Sequence, residues 1–260
     1  QYNRVKFSGV DYQFKGAVYV HGANHGQFNS TWGRSDFGSG IFRNFLNHGA
    51  IIPEEQQEKI AEVYISAFLE AALNEQYEYL ALFRDWRVGA RWLPQTVYLT
   101  QFEDSNFIPI ATFKKDLNVN TATIPGARIS SSGLSKWYEG YLRGKWNQTL
   151  STSVVTLGWD SFEGRNRNSE YTIHIPNEGV DIFPQSTLVF SMGDCSKQSE
   201  KDDDPSDSNQ SIGINLTVVL ENDQQTSRVS LDEMMLLQNQ INVQITKASF
   251  FEKHEPGETV

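Results

Sequence analysis

Cysteine is almost missing from this 260-residue chain. Cys195 stands alone, so no intrachain disulfide forms and no cysteine-rich zinc or redox site can be assembled. Long apolar runs are missing too: none approaches the roughly 20 residues that a transmembrane helix needs, and the opening QYNRVKFSGV lacks the apolar core of a signal peptide. The chain opens on Gln1 and not on methionine, so the lack of a leader leaves the compartment open. Positive charge is scarce, with 22 lysines and arginines against 32 aspartates and glutamates and a formal net charge of −10. A phosphate backbone needs clustered cations, which excludes a broad nucleic-acid footprint.

Several site signatures are also absent. Gly38, Ser39 and Gly40 suggest a phosphate cradle, but no P-loop lysine follows them. Asp202, Asp203 and Asp204 are consecutive, so their side chains cannot converge as the spaced ligands of an EF-hand do. The segment 194–210 around them has almost no apolar residue and reads as a mobile acidic loop. Sequons at Asn29, Asn147, Asn209 and Asn215 decide nothing by themselves.

What is present is enough for a core. Hydrophobic residues make up 38% of the chain and aromatics 12%, alongside 19 glycines and 8 prolines, the balance of a turn-rich globular protein. The length suits two parts. In the first, residues 18 to 32, VYVHGANHGQFNSTW, take a β-prone run into a polar turn where Gly22 and Gly26 bracket Asn24 and His25. A histidine in a glycine-flanked loop is more often structural than catalytic. His21, at the strand end, reads first as a packed or hydrogen-bonded residue, and His48, His174 and His254 are too scattered to complete a metal set. Phe28 and Trp32 are expected to pin the loop onto the body of the protein.

Pro53, Glu54, Glu55 and Glu58 begin a helix, since proline suits the first turn and carboxylates complement the positive end of the helix dipole. Ile60, Val63, Tyr64, Ala67, Phe68, Ala71 and Ala72 recur at helical spacing, with Asn74 as a weakening point, and the apolar face should pack on a sheet. One or two strands and a helix cannot enclose a core, so the first third must lean on the remainder.

From about Trp86 the pattern is β-rich, with candidate strands at 96–102, 118–124, 152–159, 170–175, 187–192, 212–220 and 241–250. The segments 134–144 and 231–240 read as short helices or irregular connections. Trp137, Tyr138, Tyr141, Trp146 and Trp159 raise carbohydrate stacking as a function, against core packing as the plainer explanation; Trp137 and Tyr141 share an exposed platform only if their segment is helical.

The run AVYVHGANHGQFNSTWGRSD, with the helix EEQQEKIAEVYISAFLEAAL after it, resembles the last strand, catalytic-histidine loop and final helix of the α/β-hydrolase superfamily, in particular bacterial esterases, lipases and chlorophyllase-like enzymes. The remainder resembles the β-sandwich appended in some bacterial members, on segments such as TLVFSMGD and QITKASFFEK. The resemblance implies an α/β-hydrolase C-terminal fragment over residues 1–84 and an all-β, jelly-roll-like sandwich over 85–260. It implies that His25 is the triad histidine, in a serine hydrolase of carboxylic esters or related acyl substrates, with a small-molecule or lipid ester as substrate and neither metal nor organic cofactor. The family's chain order is serine, acid, histidine. No G-x-S-x-G occurs: Ser39 sits in GSG, residues 130–135 have the wrong spacing, and Ser161 sits in GWDSFEG. Nucleophile and acid are therefore expected upstream of Gln1, with Asp11 only a distant substitute for the acid, and the chain alone is expected to be inactive. The alternative is a non-catalytic module that binds carbohydrate or protein.

Overall fold

The computed structural model of the chain describes residues 2–29, 31–34, 36, 44–114, 116, 118–143, 149–159, 168–177, 180–193, 215–234, 241 and 246–248. In chain order the elements are β1 (Phe14–Val20), α1 (Glu54–Leu73), α2 (Ala81–Arg84), β2 (Tyr98–Asp104), β3 (Arg128–Ser132), β4 (Lys136–Arg143), β5 (Thr149–Gly158), β6 (Glu170–His174), β7 (Thr217–Glu221), β8 (Thr226–Ser230) and α3 (Leu231–Met234), with short 3-10 turns between some of them. They divide into two compact units, residues 1–187 and 188–260.

α1 matches the expected pattern. Pro53 sits at its N-cap, Glu54 and Glu55 occupy its first turn, and Gln57, Ile60, Tyr64, Ala67 and Ala71 form its buried stripe. It ends at Asn74, whose N–H donates to the Glu70 carbonyl at 3.1 Å, before Glu75 turns into the left-handed region at φ +55°. The stripe packs with Leu80, Leu82, Phe83, Leu93 and Tyr98 into one core, joined by Phe14, Val18 and Val20 of β1 and Phe102 of β2. Phe68 is half-exposed yet meets Phe14 and Phe83 edge-on, at 5.5 and 6.4 Å between ring centres. The exposed side of α1 carries Ile65, Leu69 and Leu73.

β1 pairs antiparallel with β2, from Phe14 opposite Asp104 to Val20 opposite Tyr98. This pairing corrects the expected fold. The strand expected to close a parallel hydrolase sheet is instead one arm of an antiparallel ribbon whose other arm lies beyond residue 85. The four described sheets are all two-stranded and antiparallel: β1 with β2, β3 with β6, β4 with β5, and β7 with β8. Among the described residues the chain is thus mostly small antiparallel sheets with few helices, which is not the architecture of an α/β-hydrolase fragment. The first third does lean on the rest of the first unit, through the ladder between β1 and β2.

Among the expected strands, β2, β5 and β6 fall close to their predicted places. The segment 118–124 holds only an isolated bridge, Thr121 to Arg128, and 187–192 is irregular. The segment 134–144, expected as a short helix or an irregular edge, is mostly strand β4, paired with β5. A second core in the first unit gathers Ala122, Ile124, Ala127 and Ile129, with Trp137, Tyr171 and Ile173 against it. In the second unit β7 and β8 form a hairpin; the Asn222 side chain accepts from the N–H groups of Gln224 and Gln225, and Asn222 N–H donates to the Gln225 carbonyl at 2.9 Å. Cys195, the acidic loop 194–210, most of the strand expected at 241–250, Trp146 and His254 lie outside the described residues.

Candidate functional site

β1 delivers the chain to His21, whose N–H donates to the Val97 carbonyl at 2.9 Å while its own carbonyl accepts from Thr96 Oγ1 at 2.8 Å. His21 thus extends the ribbon by its backbone. Gly22 then turns the chain with φ +77°, and a Cβ there would lie 2.4 Å from the Ala50 carbonyl oxygen. Only glycine fits both the angle and the approach. The Gly22 carbonyl accepts from Ile52 N–H at 3.0 Å, tying the loop to the entry of α1.

The loop is held chiefly by two completely buried glutamines. Gln57, in the first turn of α1, uses both halves of its amide on Asn24: Oε1 accepts from Asn24 N–H at 2.9 Å, and Nε2 donates to the Asn24 carbonyl. Gln57 Oε1 also accepts from Gln27 Nε2 at 3.2 Å, and Gln27 Nε2 donates to the Ile52 carbonyl at 2.8 Å. Asn24 closes the turn from inside, accepting from Gln27 N–H at 3.2 Å and donating to the Gly33 carbonyl at 3.2 Å. A buried amide bound on both sides fixes a backbone more rigidly than apolar contact does, because each bond is directional and each loss leaves an orphan.

His25 stands at the exposed rim of this frame, just before the 3-10 turn Gly26–Phe28. Asp36 fixes its backbone: Oδ2 accepts from His25 N–H at 3.2 Å and Oδ1 from Gly26 N–H at 2.6 Å. A Cβ on Gly26 would lie 2.3 Å from the Gly33 carbonyl oxygen, so glycine is needed here as well. The imidazole meets the Trp32 ring edge to face at 5.2 Å and 90°, and among the described residues it has no hydrogen-bond partner. Phe28 and Trp32 do not pin the loop. They are 55% and 50% exposed, and of the two only Trp32 has a ring contact with the imidazole among the described residues; the glutamines do the pinning.

The other candidates do not converge on His25. The Nε2 of His48 is buried, with no hydrogen-bond partner among the described residues. Asp11 is exposed and makes no contact with the imidazole among the described residues. Ser39 and Ser161 lie outside the described residues. His174 meets a serine that the sequence did not single out: its Nε2 lies 2.8 Å from Ser130 Oγ across β3 and β6, one step diagonal to the register. Both residues are exposed and nothing described orients the second ring nitrogen, so the arrangement is that of a cross-strand polar pair. Among the described residues no three histidine, cysteine or carboxylate groups gather to hold a metal ion. No described helix is long and apolar enough to cross a membrane.

The aromatic platform does not form as a helix would have formed it. Trp137 packs against the second core, with its indole N–H buried and without a hydrogen-bond partner among the described residues. Tyr138 and Tyr141 are exposed on opposite faces of β4.

Compared with protein-family models, curated proteins and solved structures, the chain matches none. The loop itself therefore carries the functional reading. Gln27 and Gln57, its holding residues, escape sequence reasoning because a glutamine in the first turn of a helix reads as solvated; the signal that could have found Gln57 is its place on the same stripe as Ile60, Tyr64, Ala67 and Ala71.

Proposed function

We infer that the chain supplies His25 as the general base of a hydrolase acting on carboxylic esters or related acyl substrates, with the serine nucleophile contributed by sequence outside these 260 residues. The observation that carries this reading is an exposed imidazole, free of hydrogen bonds among the described residues, at the rim of a loop whose backbone is fixed by buried amides. Such a group is placed but not consumed, which general-base chemistry needs. The imidazole takes the proton of a serine hydroxyl as its oxygen attacks the carbonyl, then returns that proton to the departing alkoxide. Trp32 beside it offers apolar surface to the acyl or alcohol part of the ester.

The test uses the whole protein translated from the reading frame that contains this chain. It should label with a fluorophosphonate and hydrolyse p-nitrophenyl butyrate, and His25→Ala should lower kcat by about a thousandfold or more. Absence of labelling, or a His25→Ala variant as active as the parent, would overturn the reading. Esterase activity of the 260-residue chain alone, lost on His25→Ala, would place the nucleophile within the chain and overturn that part. The non-catalytic alternative has little support: two tyrosines on opposite faces of one strand do not make a sugar-stacking surface.

A further inference from the structure

The face of the ribbon turned away from α1 holds a different constellation. Lys15 and Glu103 are opposite one another in the β1–β2 register and pair at 3.0 Å. The Lys15 side chain is only 12% exposed; its ammonium also donates to the Val5 carbonyl at 3.1 Å and lies 4.7 Å from the centre of the Tyr2 ring and 5.4 Å from that of Phe7. That charge is fully engaged inside the protein.

Beside the pair opens a cleft of about 390 Å³, walled in part by Val5, Lys6, Phe7, Phe107, Pro109 and Lys114. Its volume is that of a small-ligand site. Its charges do not cancel. Glu103 is answered by Lys15, and Asp104, also on the wall, by Arg84 at 3.2 Å and the Tyr12 hydroxyl at 3.1 Å. Lys6 and Lys114 are exposed and have no ion-pair partner among the described residues. In a chain of net charge −10, two unanswered lysines from distant parts of the sequence are brought to one cleft whose other walls mix the apolar Val5, Phe7, Phe107 and Pro109 with the polar Asn3, Ser105 and Thr112.

We propose that this cleft binds a small organic anion with an aromatic body, a carboxylate being the simplest headgroup. Lys6 and Lys114 take the anion at the rim, Phe7 and Phe107 cover the ring, and the neutralised Lys15–Glu103 pair forms a polar floor. The site is separate from the histidine loop: Lys15 lies at the start of β1 and His21 just past its end, roughly 20 Å along the strand. It therefore stands or falls independently of the hydrolase reading.

The probe is 2-naphthoate, titrated into the 260-residue chain with binding followed by calorimetry and by saturation-transfer NMR, beside its neutral counterpart 2-naphthalenemethanol. Naphthoate should saturate one site and bind roughly tenfold or more tightly than the alcohol. Raising salt from about 0.05 to about 0.5 M should weaken naphthoate several-fold and leave the alcohol unchanged. The double variant Lys6→Gln, Lys114→Gln should reduce naphthoate to the level of the alcohol, and Phe107→Ala should weaken both ligands. Lys59→Gln, on the far side of the ribbon on α1, should change neither. Equal affinity for the acid and the alcohol, naphthoate binding that does not saturate, or a lysine double variant that melts and binds like the parent would each overturn the proposal. The comparison of ligands and the salt series use the unaltered chain, so the outcome does not depend on a variant folding.

Discussion

Gln57 answers the N–H and the carbonyl of Asn24 with one side chain and meets Gln27 with the same oxygen. Truncating it leaves two part-buried polar groups, the N–H and the carbonyl of Asn24, without that partner, each costing about 1–3 kcal/mol, while Gln27 Nε2 keeps the Ile52 carbonyl. Because some of these groups regain water as the loop loosens, Gln57→Ala should destabilise the first unit by roughly 2–4 kcal/mol. Urea denaturation would read this, and an unchanged midpoint would show that the clamp contributes nothing. Glu139 offers a second test at this scale. Burial first, and the charge of Asp116 second, raise its pKa, and its Oε1 is buried with no hydrogen-bond partner among the described residues. The folded state therefore holds the proton more tightly than the unfolded chain does. Stability from the neutral form is present below the ordinary glutamate range and is lost as pH rises through the raised folded value. Glu139→Gln keeps the neutral shape at every pH, so its melting temperature should match the parent near pH 4 or below and exceed it near pH 7. A variant that melts lower than the parent at pH 7 would contradict this account.

At the scale of elements, the join between β1 and the histidine loop depends on Gly22. Alanine there would carry φ +77° and a Cβ 2.4 Å from a backbone oxygen that cannot swing away. Gly22→Ala should cost about 2–3 kcal/mol and displace the Ile52 N–H to Gly22 carbonyl bond. Thermal melting measures the first, and the amide shift of Ile52 in NMR measures the second. Elements are legible in the sequence to the extent that their causes are local. α1 is readable because its start and its buried stripe are both written within 20 residues. β4 is ambiguous because residues 137 and 141, four apart, share a face in a helix and in a strand alike, so the helix expected as the condition for a shared face is not required, and only pairing with β5 decides between the two. The partner of β1 is illegible, since antiparallel pairing with β2 is a contact across some 80 residues that no local pattern encodes. In the loop, His25 is legible from its glycines. The exposure of Phe28 and Trp32 is not, because it depends on the glutamines having already anchored the segment. Lys6 and Lys114 share a cleft only after folding brings them together.

Over the whole molecule, protection from water is uneven. The first unit holds the core around α1 and a second around Ile129, whereas β7 and β8 in the second unit are exposed at almost every position. Local opening costs least where little apolar surface is buried. Hydrogen–deuterium exchange followed by mass spectrometry should find α1 amides among the slowest in the chain and those of the β7–β8 hairpin among the fastest of any strand. Equal protection of the two would count against this picture. The clamp under His25 has a consequence for kinetics as well. Glutamine neither gains nor loses a proton, and an uncharged amide pair attracts no counterions. The Gln27–Gln57 clasp should therefore grip alike in dilute and concentrated buffer, and a rate that changes with salt through the loop would trace to the Asp36 carboxylate on the His25 and Gly26 N–H groups and not to the clasp.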